Sequence, residues 1–151
     1  HKATAMMNEV ERAFELYGNR LYAYMRRLGL SEVEAEDGVQ EVFIRAMRSS
    51  IDWSSPKGYL FKIAHNWAMD VLRSRMPLID EEEGYELSAG KDHFEDVHLL
   101  LQSLKEEERS VLLLLYQEGL SYHEVAELIG KPENTIKSIV HRAKAKLRKE
   151  V

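Results

Sequence analysis

Cysteine is absent from this chain of 151 residues. No disulfide, thiolate zinc site or cysteine nucleophile can therefore form, and this composition fits the reducing cytoplasm, where we expect the protein to act. A membrane-spanning helix is not predicted either, because no apolar run approaches the ~20 residues that such a helix needs. The opening residues, HKATAM, lack the apolar core of a signal peptide. We interpret them as a remnant of expression and leave them out of the fold prediction.

Motifs of enzymes and metal centres are missing as well. The five histidines beyond residue 6 show no H-E-x-x-H spacing, and the sequence has neither a Gly-rich phosphate loop nor a G-x-S-x-G elbow. We therefore predict that the protein is not an enzyme and has no catalytic residue, metal or cofactor. Its histidines are interpreted as ordinary surface or capping residues.

Charge is distributed unevenly along the chain, whose formal net charge is −5. Residues 77–103 include eight acidic residues and one basic residue, whereas the segments on either side each have one basic residue in excess. The overall acidity does not argue against nucleic-acid binding, because the field that a polyanion meets is local. The acidic segment also lacks sustained apolar periodicity, which predicts a flexible linker at 77–93.

The chain before the linker predicts three helices, over 7–28, about 31–47 and about 56–75. Apolar residues recur at helical spacing in each, and Ser31 with Glu34 forms a capping box. We expect Phe14 and Trp67 on buried faces of these helices. We expect His65 and Met69 on an exposed face.

Two surfaces of this half allow more than one interpretation. The outward face of the second helix mixes acidic and amide side chains with Ile44, which suits either a protein interface or a solvated surface. Trp53 precedes a third helix whose outward face mixes basic residues with Asn66. This combination suits a platform for single-stranded nucleic acid, although a tryptophan packed under its own loop is an equal alternative.

The chain after the linker predicts a helix over 94–104 and then two short helices followed by a long basic one. Gly119 and Gly130 end the short helices, and Ser121 with Glu124 forms a second capping box. This pattern is typical of a helix-turn-helix, whose last helix enters the major groove. Residues 131–149 include seven basic residues and only one acidic residue. They predict a phosphate-facing surface, the alternative being a solvated basic helix end.

Three segments resemble conserved regions of bacterial extracytoplasmic-function (ECF) sigma factors. GLSYHEVAELIGKPENTIKSIVHRAKAKL is similar to their fourth region, in which an E-[IV]-A helix precedes a T-[VI]-K-S helix ending in R-A-[RK]. EDGVQEVFIRAM resembles the D-x-x-Q-E-x-F signature of the second region, and GYLFKIAHNWAMDVLRSR resembles Y-L-x-x-I-A-x-N-x-x-x-D-x-x-R. The three occur in the family's order. Ile139 stands where Arg is common in the family.

The resemblance implies an all-α protein of two small helical domains. A region 2-like domain would occupy 7–76, an acidic flexible linker 77–93, and a region 4-like helix-turn-helix domain 94–151. The implied function is to direct core RNA polymerase to specific promoters and to initiate transcription by recognising and melting them. The implied partners are core RNA polymerase, promoter DNA as upstream duplex and melted non-template strand, and an anti-sigma factor.

The resemblance also implies three sets of site residues. Core polymerase would bind Asp37, Gln40, Glu41 and Ile44. The minus-ten element would contact Trp53, Lys62, Asn66, Arg73 and Arg75. The minus-thirty-five duplex would contact Asn134, Thr135, Lys137, Ser138, His141, Arg142 and Lys144.

A second hypothesis is a plain helix-turn-helix transcriptional regulator with an unrelated helical N-terminal domain. The N-terminal half separates the two hypotheses. A sensor domain needs a ligand pocket, whereas a sigma factor needs the polymerase face and the base pocket in the order found here.

Overall fold

The computed structural model describes residues 2–75 and 100–150, and every regular element in these ranges is a helix, as predicted. The main helices are α1 (Lys2–Leu28), α2 (Glu32–Met47), α3 (Lys57–Ser74), α4 (Glu106–Leu112), α5 (Tyr122–Ile129) and α6 (Glu133–Glu150). Residues 100–102 are also helical. The predicted linker at 77–93 and the start of the helix predicted for 94–104 lie outside the described residues.

Local sequence signals set most of these boundaries. The Ser31 hydroxyl accepts a hydrogen bond from the Glu34 amide, and the Glu34 carboxylate accepts one from the Ser31 amide, which together form the predicted capping box of α2. Gly29 ends α1 in a left-handed conformation (φ 118°) that L side chains rarely adopt. One boundary was predicted wrongly: α1 begins at Lys2, because the opening residues include good helix formers and no breaker.

The first three helices pack around a shared apolar core. Its fully buried members are Leu21, Tyr24, Met25, Leu28, Ala35, Val42, Ala46, Leu60, Phe61, Ala64 and Ala68. Gly38 is required where α2 approaches both neighbours. A Cβ at that position would collide with the Met25 sulfur and lie 2.6 Å from the Trp67 ring. A side chain at position 38 therefore cannot fit unless the core repacks.

Four side chains lie differently from their predicted positions. Phe14 is 51% exposed, although its ring packs on Phe43 with centroids 5.1 Å apart, and Trp67 is only half-buried. His65 and Met69 are buried, at 4% and 6% exposure, on the face of α3 that was expected to meet solvent. The C-terminal helices pack against that face, so α3 is buried on more sides than its apolar periodicity indicates.

The C-terminal helices add an apolar centre of their own, which is continuous with the core of the first three helices. Val111, Leu114, Val125, Ile136 and Ala143 are buried where α4, α5 and α6 meet. The predicted Ser121 capping box opens α5, and Gly130 closes it in the left-handed conformation (φ 83°). Ile139, which was expected at the edge of the buried stripe of α6, is 2% exposed and belongs to this centre.

A π-helical turn, Leu113–Gln117, continues α4 and was not predicted from the sequence. The Glu118 amide donates to the Leu113 carbonyl at 3.0 Å, five residues back instead of four. Each such turn accommodates one additional residue and is frequent at functional positions.

Polar side chains also join the two groups of helices. The Ser110 hydroxyl lies 2.7 Å from both the Tyr24 hydroxyl and His65 Nδ1, and all three groups are buried. At a second point, Arg20 Nη2 donates to the Glu118 carboxylate at 2.6 Å. These pairings satisfy polar groups that burial would otherwise leave unpartnered.

Candidate nucleic-acid and polymerase interfaces

The helix-turn-helix is formed by α5, the turn at Gly130 and α6. The buried side of α6 fixes its orientation and leaves an opposite face in solvent. That exposed face includes six of the seven predicted duplex contacts: Asn134, Lys137, Ser138, His141, Arg142 and Lys144. The seventh, Thr135, is half-buried beside them. The structure therefore brings the predicted duplex-contacting residues together on one surface.

Two of the seven basic side chains counted in the sequence serve the fold. Lys131 Nζ lies 2.8 Å from the Glu107 carboxylate, and Lys146 Nζ lies 2.9 Å from that of Glu108. Burial raises the pKa of Glu108, but its hydrogen bonds with Lys146 and the Lys105 amide outweigh this effect and hold that pKa below its usual value. The first pair joins the turn before α6 to α4, and the second joins the later part of α6 to α4.

The central cations of α6 are arranged differently. Among the described residues, Lys137 and Arg142 have no carboxylate partner. Lys144 Nζ lies 5.1 Å from the centroid of the Tyr116 ring, and its interaction with Tyr116 raises the pKa of Lys144. Sequence reasoning missed Tyr116, since nothing in its local pattern indicates that the end of α4 reaches the middle of α6.

Within the described part of the chain, only some of the residues predicted to contact the minus-ten element are exposed and unpaired. Lys62, Asn66 and Arg73 are exposed and share one face of α3, with Arg73 pairing to Asp70 at 3.2 Å. Arg75 is half-buried, because it pairs with the Glu34 carboxylate.

Trp53 is set apart from that face. It is 8% exposed, and its ring stacks on Phe43 with centroids 6.4 Å apart and an interplanar angle of 20°. This placement corresponds to the alternative in which the tryptophan packs under its own loop. In this conformation the Trp53 ring supports the loop from below and is not available for stacking by a base from solvent.

The predicted polymerase face lies on the exposed side of α2. Asp37, Gln40 and Ile44 are in solvent, and Glu41 is half-buried and paired with Arg45 at 2.8 Å. Ile44 is 38% exposed.

Ile44 is not the only apolar side chain there. Val33 and Met47 are exposed as well, and their spacings of eleven and three residues from Ile44 place all three on one side of α2. Sequence reasoning named only Ile44. The additional residues make an apolar strip flanked by polar groups, a composition typical of protein interfaces.

A cleft of about 430 Å³ lies between the two groups of helices. It is lined by Met69, Leu72, Arg73, Arg75, Glu106 and Glu107. The described residues form no cluster of three or more potential metal ligands. None of the described helices is long and apolar enough to cross a membrane.

The titratable groups with the largest pKa shifts lie at the contact between the two groups of helices. Burial lowers the pKa of His65 to about 4, and burial raises the pKa of Tyr24. Both side chains are buried beside the Ser110 hydroxyl, so both belong to the structural contact.

Family models match both halves of the chain. Sigma-70 region 2 matches residues 13–77, and Sigma-70, region 4 matches residues 94–147. RNA polymerase sigma factor SigV of Bacillus subtilis is 33% identical over 129 residues, with 78% of each chain covered. The ECF RNA polymerase sigma factor SigE of Mycolicibacterium smegmatis is 31% identical over 147 residues. The chain spans only 57% of the length of SigE, while 87% of the chain itself is covered.

Two solved structures share the fold. Sigma factor RpoE of Bartonella quintana, in complex with the anti-sigma factor NepR, superposes with a TM-score of 0.73 at 26% identity, covering 92% of this chain and 94% of that chain. CnrH, in complex with the cytosolic domain of CnrY, has the same TM-score at 25% identity, covering 92% and 84%.

A helix-turn-helix with an exposed basic face, joined to a three-helix N-terminal unit, defines a DNA-binding transcription protein. The chain belongs to the ECF family of RNA polymerase sigma factors, as its three signatures predicted. This family consists of transcription initiation factors that are not enzymes. The region 2 match disfavours the alternative of an unrelated N-terminal sensor domain.

Proposed function

We propose that this chain directs core RNA polymerase to promoters by dividing the task between its two helical units. The unit at 7–76 binds polymerase and the melted minus-ten strand, and the unit at 94–151 binds the minus-thirty-five duplex, with 77–93 connecting them. The observation that supports this division best is the exposed face of α6, where Lys137 and Arg142 have no carboxylate partner among the described residues. The protein acts in the cytoplasm and needs no cofactor or catalytic residue.

The upstream duplex is held by α6 through charge and hydrogen bonding. Lys137, Arg142 and Lys144 neutralise phosphates, and the counterions released from the DNA drive association. Asn134 and Ser138, at the leading end of the helix, are placed to meet base edges in the major groove, where polar side chains can distinguish base pairs.

The melted strand is bound along α3. Lys62 and Arg73 attract phosphates, and the Asn66 amide reads the edge of a base flipped from the non-template strand. Trp53 belongs to this site as the ring that holds the loop against α2. Arg75 must release Glu34 before it can reach a phosphate.

Core polymerase docks on the exposed side of α2. Asp37, Gln40 and Glu41 supply hydrogen-bonding groups, and the apolar strip that includes Ile44 supplies a centre that excludes water. A partner that covers these surfaces would silence the protein. The solved relative RpoE of Bartonella quintana is bound to the anti-sigma factor NepR, and we propose an anti-sigma factor of this kind here.

Competition binding to purified core polymerase tests the proposal. Ile44→Asp should weaken affinity at least tenfold, because it places an unpaired charge at a contact centre. The matched control is Leu16→Asp, which adds the same charge at an exposed apolar position of α1. Both variants must first show wild-type circular dichroism and melting. If folded Ile44→Asp binds as tightly as wild type, the polymerase-docking proposal is wrong.

Run-off transcription then tests the complete function. Wild-type protein with core polymerase should initiate from a subset of a promoter library, and Asn66→Ala should relax preference at one non-template base. The loss of a bidentate base contact corresponds to about 1 to 3 kcal/mol of discrimination. Unchanged preference across all four bases would remove Asn66 from the pocket.

A further inference from the structure

Tyr116 is an exposed aromatic residue that the functions assigned above do not use. It lies in the π-helical turn Leu113–Gln117, and 59% of its surface is open to solvent. The turn accommodates an additional residue before Glu118 enters its buried pair with Arg20. Tyr116 is thus held on a rigid element whose following residue is anchored in the interior.

Tyr116 contacts a residue of the predicted DNA face. Lys144 Nζ lies over its ring, 5.1 Å from the ring centroid. A cation at this distance is attracted by the electron-rich face of the ring. This contact does not use the hydroxyl hydrogen of Tyr116, which remains available to an acceptor.

Phosphate oxygen is the acceptor that this arrangement fits. Lys144 shares the exposed face of α6 with Lys137 and His141, which are spaced to lie on one side of the helix. Tyrosine hydroxyls and lysine ammonium groups are both common phosphate donors in protein–DNA complexes. A lysine already held by a ring also loses less side-chain freedom when it binds than a lysine that is free in water.

We propose that Tyr116 positions Lys144 for a backbone phosphate of the upstream duplex and donates its own hydroxyl hydrogen to the same phosphate. The proposal rests on the proposed duplex binding by α6. It extends the DNA-contacting surface beyond the helix-turn-helix to the end of α4. The recognised group is a phosphate and not a base, so the contact contributes affinity and register without sequence preference.

Salt-dependent binding of the full-length chain to a mixed-sequence DNA duplex tests the proposal by fluorescence anisotropy. Tyr116→Ala should weaken binding roughly two- to tenfold, the range expected when a side chain must be ordered on binding. It should also flatten the salt dependence, because Lys144 is no longer held at its phosphate. Lys144→Ala should reduce the slope by about one. Tyr116→Phe should fall between wild type and Tyr116→Ala, since it keeps the ring and loses the hydroxyl.

A double-mutant cycle separates positioning from a general structural effect. In the Lys144→Ala background, Tyr116→Ala should have little further effect. In the Lys149→Ala background it should keep its full effect, because Lys149 is an exposed cation of α6 without a contact to Tyr116.

The outcomes distinguish this inference from the function on which it rests. If Lys144→Ala weakens binding and Tyr116→Ala leaves affinity and slope unchanged, the role of Tyr116 is refuted and duplex binding by α6 stands. If the losses of binding free energy caused by Tyr116→Ala and Lys144→Ala simply add in the double variant, Tyr116 does not position Lys144, and duplex binding by α6 again stands. If Lys137→Ala, Arg142→Ala and Lys144→Ala all bind like wild type, the proposed function of α6 fails.

Discussion

The two helices proposed to meet DNA use their basic side chains in different ways. Near α3, three cations are engaged within the protein: Lys57 donates to the Glu118 carbonyl, Arg73 pairs with Asp70, and Arg75 pairs with Glu34. At α6, Lys131 just before the helix and Lys146 in its later part are paired with carboxylates of the described residues, and the central cations face solvent.

This difference shows that a count of charges does not measure a binding surface. Exposed ion pairs stabilise a fold only slightly, yet each must be broken before its cation can hold a phosphate. The central cations of α6 could therefore meet the proposed duplex without breaking an ion pair, whereas the α3 face would have to rearrange before all of its cations could engage a strand.

Among the substitutions predicted to affect the fold, Trp53→Ala, in the loop before α3, should have the largest effect on stability. Because the ring is buried against Phe43, truncation should lower the free energy of unfolding by about 3 to 5 kcal/mol. Urea denaturation measures the loss. Tyr59→Ala is the control, since Tyr59 is an exposed aromatic residue of α3. A Trp53→Ala variant as stable as the control would mean that the ring is a surface residue held for a base.

Lowering the pH should destabilise the side of α3 that is buried against the C-terminal helices. Burial sets the pKa of His65 to about 4, below the ordinary 6.5, so the unfolded chain binds a proton in this window that the folded chain excludes. The free energy of unfolding should therefore fall as pH drops from 6.5 to 4, by up to roughly 3 kcal/mol from this group.

The contribution of His65 is the difference between the pH dependence of wild type and that of His65→Gln. The comparison is needed because Glu107, Arg73 and Lys131 also influence the pKa of His65. Thermal melts of wild type and His65→Gln across the window should show a steeper acid loss for wild type. His141→Gln, at an exposed histidine of α6, should keep the wild-type dependence. Parallel curves for wild type and His65→Gln would contradict the assignment.

Gly38→Ala should show how tightly α2, the proposed polymerase-binding helix, is packed. The added methyl group meets the Met25 sulfur and the Trp67 ring, so we expect a loss of about 1 to 3 kcal/mol in chemical denaturation. Gly58→Ala is the matched control in α3, where nothing lies within 4 Å of an added Cβ. That change should be neutral or stabilising by roughly 0.5 to 1 kcal/mol. Equal losses at the two positions would contradict this packing argument.

The smallest expected effect is a change in the salt dependence of duplex binding, and it compares a cation of α6 that has a carboxylate partner with one that has none among the described residues. Arg142→Ala should reduce the salt slope of duplex binding by about one and leave stability unchanged. Lys146→Ala should lower stability and leave the salt slope unchanged, because it removes the partner of the Glu108 carboxylate. Anisotropy titrations and thermal melts of both variants provide the comparison. Equal salt slopes for the two variants would show that the Glu108 pair does not decide which cations are available.

Local signals in the sequence predicted the helix boundaries well. Capping boxes at Ser31 and Ser121 and left-handed glycines at Gly29 and Gly130 act within a few residues, so their chemistry is visible in the linear chain. The proposed DNA face of α6 could also be predicted, because helical spacing alone places its residues together.

Contacts between distant segments could not be predicted in the same way. His65 was expected in solvent because its helix already had one apolar stripe, and only the approach of Ser110, 45 residues later, buries it. The Trp53 alternatives stayed open for the same reason, since its partner Phe43 lies on a different helix.

The sequence by itself determined the family, the helices and the residues of each candidate surface, because motifs and helical periodicity are properties of neighbouring positions. The tertiary structure decided which charges are free, which aromatic rings are buried and where Tyr116 meets Lys144. Those outcomes depend on packing and ion pairing between segments far apart in the chain, and no local pattern specifies such distances.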